Sequence, residues 1–381
     1  MYYRSTISQR WWQFLPLLLL SLALQAVASE PETAYEGAVR VATVSLLMEQ
    51  SPAETAMLDV GLAIFDPGIP ADAASHSKQG IFPEIRKAEA QYMPVLLRRA
   101  LLAANAWGVV RVLPDEQQSS ELLVTGKILH SDGLQLVLQV RAVDATGRQW
   151  LDKVYLDEAR ESDYPVRQGN DPYADLYGQI ANDLLAFRRQ LNQRQLAAIR
   201  EVGMMRYAAD LSEDAFGGYL ERDAAGIYTL VRLPADGDPM MARVERIRNQ
   251  EHLFIDTVDE QYVDLSEQMA PTYNLWRQYG REQAIYQDEF QARAQKKESY
   301  GRRGSFVALE QTYNTYKQIK IQEQDLDEMA LGFNNEVTPT VMEASGRVFR
   351  LNGTLATQYS EWRGILREIF VLETGLPAVS P

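Results

Sequence analysis

The clearest pattern along the chain is a period of two between Leu122 and Leu156. Leu134, Leu136, Leu138, Val140 and Ala142 fall on one face and alternate with Gln135, Val137, Gln139, Arg141 and Val143. Before this run, Leu122, Val124, Gly126 and Ile128 alternate with Leu123, Thr125, Lys127 and Leu129. After it, Trp150, Val154 and Leu156 share a face. The joints "SDG" and "DATG" carry residues that tolerate tight turns, so the pattern predicts three consecutive antiparallel strands.

Upstream the spacing changes. Ile85, Ala88, Tyr92, Val95, Leu96 and Leu102 recur near helical intervals, with Pro83 suited to a first turn and Gly108 to a stop. Pro94 is expected to kink this helix or divide it. "GVVRVLP" and "VGLAIFDPGIP" read as short strands, and "VRVATVSL" near Val39 as an edge strand. Downstream of the meander, Tyr173, Leu176, Tyr177, Ile180, Leu184, Phe187 and Leu191 predict an amphipathic helix. That order implies an α/β sandwich with helices packed on one sheet face.

From about Arg194 strands become sparse. "GGYLER" and "GIYTLVRLP" suggest a hairpin. A helix through Val244, Ile247, Phe254, Val258, Tyr262 and Leu265 is expected to stop at Pro271. A second runs from Thr272 toward Gln295, and a third carries Phe306, Leu309, Tyr313 and Tyr316. The last is read over "RVFRLNGTLATQYSEWRGILREIFVLETG", ending at Gly375. The expected fold is therefore α+β: an α/β sandwich with an antiparallel meander, then a mostly helical bundle or hairpin. In domain terms this is a signal peptide over 1–28, the sandwich over 29–192, and the helical domain over 193–381.

The signal peptide rests on Arg4 and Arg10, the apolar run "FLPLLLLSLAL" and the small residues Ala26–Ala28. The run is short for a membrane span, so the mature chain is expected to begin near Ser29, in the periplasm, with no transmembrane segment. The chain has no cysteine, which removes disulfides, thiolate chemistry, cysteine zinc sites and lipoprotein acylation. The full chain carries −14. Counting from Ser29 drops two arginines and leaves 36 basic against 52 acidic residues, or −16. Such a balance disfavours nucleic acid and anionic lipid as broad-surface partners.

A strand ending in "DPGIP", a helix, "WGVVRVLP" and then "LLVTGKIL…LQLVLQVRAVDATGRQWLDKVY" together resemble the α/β domain of the Tol-system β-propeller protein. They are also similar to the periplasmic domain of the curli-secretion lipoprotein, over about Gly61 to Asn192. "GIFPEIRKAEAQYMPVLLRRALLAANAWGVVRVLP" and "GRVFRLNGTLATQYSEWRGILREIFVLETGLP" resemble a family of exported proteobacterial proteins of unassigned function. No propeller repeat follows and no cysteine is available for lipidation, so neither Tol coupling nor pore formation is carried over.

Catalytic and metal signatures are sparse. His76, His130 and His252 are not spaced as metal ligands. Nucleophile elbows, phosphate loops and S-x-x-K patterns are missing. Asp256, Asp259, Glu260, Asp264 and Glu267 crowd one helical segment, as a solvated face does. Asp325, Asp327 and Glu328 match a calcium loop only superficially. No catalytic residue, metal ligand or cofactor is expected. Candidate contacts are the aromatics Trp276, Tyr279 and Tyr286 with the cations Lys296, Lys297, Arg302 and Arg303. The expectation is a non-catalytic periplasmic interaction or scaffold component of a cell-envelope assembly, with an envelope protein as partner. The alternatives are a module binding peptidoglycan or polysaccharide through those residues, and a carboxylate-dependent cell-wall glycan hydrolase.

Overall fold

The structure is a computed structural model that describes residues 35, 37–50, 52–76, 81–116, 120–167, 169–298 and 339–375, with residues 286–298 described by backbone alone. Several expectations lie outside the described residues: the signal peptide, the helix carrying Phe306 to Tyr316, the acidic run at Asp325–Glu328, Arg302 and Arg303, and the side chains of Tyr286, Lys296 and Lys297. The described residues from Ala38 onward form one compact unit.

Its fold is α+β. Six strands, β1 (Val39–Arg40), β2 (Val60–Ala63), β3 (Val110–Leu113), β4 (Leu122–Ser131), β5 (Gln135–Asp144) and β6 (Gln149–Glu158), form one mixed sheet in the order β1-β6-β5-β4-β2-β3. The meander β4–β5–β6 is antiparallel, as its alternation predicts, while β2 runs parallel to β3 and β4, and β1 parallel to β6. Gly133 and Gly147 take positive φ in the two hairpin turns, a conformation that costs a residue with a Cβ.

Between β2 and β3 lie the short α1 (Ala73–His76) and α2 (Pro83–Ala103); α3 (Ala174–Arg188) follows the sheet. Helix α2 is continuous through Pro94. Leu136, Leu138, Val140 and Ala142 of β5 are buried with α2 and α3 in one apolar cluster. The other face is covered too at the β2–β3 end. Leu122 and Val124 belong to that first cluster, while Leu123 between them joins a second one built from α4 (Gln193–Leu211), α6 (Pro239–Glu298) and α7 (Leu355–Thr374). The short helix α5 (Glu213–Phe216) leads into the hairpin of β7 (Leu220–Arg222) and β8 (Tyr228–Leu230).

Two boundaries differ from expectation. Helix α6 does not stop at Pro271 but runs 60 residues through it, roughly 90 Å of helix. The residue is on the exposed side, as is Glu267, whose carbonyl the missing N–H releases, so water can satisfy that carbonyl. On the opposite side, Tyr262, Met269, Tyr273 and Trp276 are buried, which holds the two halves in line. The second difference is at the C-terminal helix. Arg347–Leu351 is a strand, β10, paired with β9 (Thr340–Ala344) across a turn in which Ser345 and Gly346 both have positive φ. Gly353 at φ 95° breaks the chain direction, and α7 starts only after Thr354, whose hydroxyl accepts the Thr357 N–H.

Sheet edge β3 is closed by α6. The Asp259 carboxylate accepts the Val112 N–H at 2.8 Å and pairs with Arg98 at 2.7 Å, while Asp256 pairs with Arg111 at 2.5 Å. The acidic segment read as a solvated face thus supplies two carboxylates that dock a helix along an open strand edge.

Candidate functional site

Helix α6 meets the sandwich at a buried polar hub. Arg277 is completely buried, and its Nη1 donates to Asp171 Oδ2 at 2.6 Å. The guanidinium lies against three tyrosine rings, 4.2 Å from the Tyr273 centroid, 5.4 Å from Tyr173 and 5.7 Å from Tyr92. Burial alone would lower the Arg277 pKa; Asp171 and the tyrosines outweigh it and hold the charge in place.

Glu89 is the second buried charge-bearing group of the hub. Its Oε1 accepts from the Ser131 hydroxyl at 2.5 Å and the Tyr273 hydroxyl at 2.7 Å, and Oε2 lies 3.5 Å from Arg86 Nε. Burial pushes its carboxyl up, against the opposing pull of Arg86 and these hydrogen bonds. The hub therefore joins α2, the β4–β5 turn, the loop before α3, and α6.

The β4–β5 turn seats directly on α6. A Cβ at Gly133 would stand 2.0 Å from the Arg277 carbonyl oxygen, and one at Gly280 would stand 2.6 Å from the Asp132 carbonyl oxygen. The Tyr164 hydroxyl donates to the Gly133 carbonyl at 2.7 Å, and Arg281 lies over the Tyr164 ring. At the foot of the turn, His130 Nε2 is 2.9 Å from Asp132 Oδ2. Burial would raise the Asp132 pKa, but that contact and the Leu134 and Gln135 amides bring it below the ordinary value.

Beside the hub opens a cleft of about 1010 Å³, bounded by α2, α6 and the loop from Ser162 to Ala174. Its three carboxylates already have partners. Asp171 pairs with Arg277, Glu267 lies 3.6 Å from Arg99, and Asp163 accepts the Arg160 N–H at 2.7 Å. Two enclosed lining atoms have no hydrogen-bond partner, the hydroxyl of Tyr177, a residue 2% exposed, and Oδ1 of Asn274, and the cation Arg167 lines the cleft as well.

Of the residues singled out from sequence, Trp276 is buried and stacked on Tyr273 at 5.6 Å, which removes it from any exposed contact surface. Tyr279 is exposed at 43% on α6 and does not line the cleft. His76 donates to the Pro70 carbonyl, and His252 is half-buried on α6. Among the described residues, no group of His, Asp and Glu is arranged to hold a metal ion, and no helix is long and apolar enough to cross a membrane.

Sequence reasoning did not single out Arg277, Asp171, Glu89, Asn274 or Gln278. A signal was present for two of them. Glu89 falls four residues after Ile85 and three before Tyr92, inside the apolar stripe of α2, and Arg277 falls four after Tyr273. No family model, curated protein or solved structure matches the chain.

Proposed function

We propose that this chain is a non-catalytic, exported component of a cell-envelope assembly that works by binding a protein partner. The cleft between α2 and α6 is its binding surface. The carrying observation is the state of the lining carboxylates: each is engaged, Asp171 with Arg277, Glu267 beside Arg99 and Asp163 with the Arg160 N–H. Carboxylates tied up in this way do not supply a free acid and base pair to a reaction, and a walled cleft of this size suits binding. Export is supported by the apolar run and small residues of positions 1–28. The envelope setting is supported by the resemblance of Gly61–Asn192 to the Tol-system and curli-secretion domains.

The test is photo-crosslinking in intact cells, with a benzophenone amino acid placed singly at Leu275, Val348 and Leu372, which are exposed on α6, β10 and α7. One envelope protein, crosslinked from Leu275 and recovered again when the tag is moved to that protein, is the expected result. Absence of a discrete adduct at all three positions would overturn the proposal. So would release of cell-wall fragments by the purified chain that disappears in a carboxylate variant.

A further inference from the structure

Away from the α2–α6 cleft, α3 carries a second recognition surface, and part of the chain itself lies in it. Residues 41–50 form a strap that runs from the end of β1 along α3 to the end of α2. The Val41 N–H donates to the Leu156 carbonyl at 2.8 Å, just past the two residues of β1 that pair with β6. From there the backbone is held by side chains. The Val44 N–H donates to Asp175 Oδ1 at 2.9 Å. About two turns along α3, Asn182 engages both polar groups of the strap: its Nδ2 donates to the Ser45 carbonyl at 3.0 Å and its Oδ1 accepts the Leu47 N–H at 2.7 Å. Beyond it the Glu49 carboxylate meets Arg189 Nε at 2.8 Å and Arg188 Nη2 at 3.4 Å.

These are the contacts of a peptide on a receptor. A strand in a sheet pairs backbone with backbone; here a carboxylate and a carboxamide, fixed on one helix, take the N–H and C=O groups of an extended segment. Two positions also select side chains. Val44 packs over Gly178, where a Cβ would stand 3.4 Å from Val44 Cγ1, so the glycine leaves room for a branched aliphatic residue. Five residues on, Glu49 meets the paired arginines. Arg188 is 7% exposed and is fixed from behind: its Nη1 donates to the Ala56 carbonyl at 2.7 Å and its guanidinium lies 5.9 Å over the Trp107 ring. A carboxylate arriving there finds a cation already in position.

The strap is lightly held. None of residues 41–50 is buried, and Leu47 and Met48 are 40% and 60% exposed. Its departure leaves β6 paired along its length with β5. Residues 38–50 come first in the compact unit, so they can leave α3 without drawing another element through the fold. While tethered, the strap competes at high effective concentration, and a partner binds in proportion to the fraction of time the surface is open.

We infer that this face of α3 docks an extended segment of a partner protein, one with a branched aliphatic residue followed five positions later by a carboxylate, and that residues 41–50 occupy it in cis until displaced. The inference shares with the reading above only the partner-binding role, and it rests on different residues. The probe is a fluorescent synthetic peptide with the sequence of residues 39–50, VRVATVSLLMEQ, titrated by anisotropy against the full chain. A release variant, Val44→Pro with Glu49→Arg, changes the strap and leaves α3 intact. It should bind the probe about tenfold or more tighter than the parent does. Adding Asn182→Leu should weaken that binding by about fivefold to tenfold, and replacing the probe's glutamate with alanine should cost a similar factor.

In intact cells, a benzophenone amino acid at Ala186, exposed one turn beyond Asn182, is expected to capture one envelope protein more strongly in the release variant than in the parent. Should the release variant lose its cooperative melting transition, Glu49→Arg alone replaces it, with the same direction expected. The inference is overturned if release does not tighten probe binding, or if neither Asn182→Leu nor the alanine probe weakens it. It is also overturned if Ala186 captures nothing, or captures only a second copy of this chain. A partner caught from Leu275 and not from Ala186 would leave the cleft's role standing and this inference lost. Capture from Ala186 and not from Leu275 would do the reverse.

Discussion

Arg277 of α6 and Asp171 of the loop before α3 meet at 2.6 Å with the guanidinium wholly enclosed, although 106 residues separate them. The pair ties the long helix to the sandwich at the floor of the cleft. Isolated, either charge would be expensive to bury; the pairing through Nη1 and the tyrosine faces offset that cost, while Nε and Nη2 of the guanidinium have no hydrogen-bond partner.

Removing one partner should therefore cost far more than removing both. Asp171→Ala leaves a buried cation and is expected to destabilise by about 3–5 kcal/mol. Asp171→Ala combined with Arg277→Met should recover a large part of that loss. Urea unfolding of the two single variants and the double variant closes the cycle. Additive losses, with no recovery in the double variant, would show that the pair is not the tie described here.

Gly133 and Gly280 make the second attachment between the sandwich and α6, and they do it by having no side chain. At Gly133 both the positive φ of 84° and the 2.0 Å approach to the Arg277 carbonyl exclude a Cβ, whereas Gly280 has only the close approach. Gly133→Ala should lower stability by about 2 kcal/mol or more. Gly280→Ala should act less severely, because better helix propensity opposes the clash by about 1 kcal/mol. Thermal melts that rank the two in the opposite order would contradict this account of the contact.

How much of this was readable follows from where each interaction is made. The meander was legible because a half-buried strand writes its geometry locally, as alternation bounded by turn glycines; Leu136, Leu138, Val140 and Ala142 are all fully buried. Strand β10 was not, since Arg347–Leu351 has exposed Val348 and only Leu351 fully buried, leaving little alternation to see. Pro271 misled because a proline's effect depends on which side of the helix faces water, and that is settled by Met269 and Tyr273 packing against distant residues. The cleft draws on α2, the loop before α3, and α6, segments brought together only by folding. Glu89 was the exception, a carboxylate inside an apolar stripe.

Asp259 closes the exposed edge of β3, and its carboxyl is pushed up by burial in spite of the Val112 amide and Arg98 that hold it. Asp259→Asn keeps an acceptor for the Val112 N–H and should lose about 1–2 kcal/mol through the weakened Arg98 contact. Asp259→Leu removes both and should lose about 3 kcal/mol or more. Hydrogen exchange provides a local readout. In Asp259→Leu the Val112 amide should exchange faster than the Val110 and Leu113 amides do, and uniform acceleration of all three would assign the effect to global destabilisation instead.

The last prediction concerns pH. Asp157, near the end of β6, is largely buried, and that burial, with Asp175 adding repulsion, raises its pKa from 3.8 to about 6; the Glu158 and Leu176 amides and Arg160 pull the other way. Because the folded value is above the unfolded one, the folded state binds the proton more tightly. The ionised carboxyl therefore opposes folding above pH 6, and that penalty fades as pH falls from about 6 to about 4. Asp157→Asn has no such charge. It should be more stable than the parent by about 1–2 kcal/mol at pH 7.5, with the difference shrinking toward zero near pH 4. Melting both proteins across that range isolates the one residue, since every other titrating group is shared. A difference that stays constant with pH would mean that Asp157 is not the group whose burial opposes its charge.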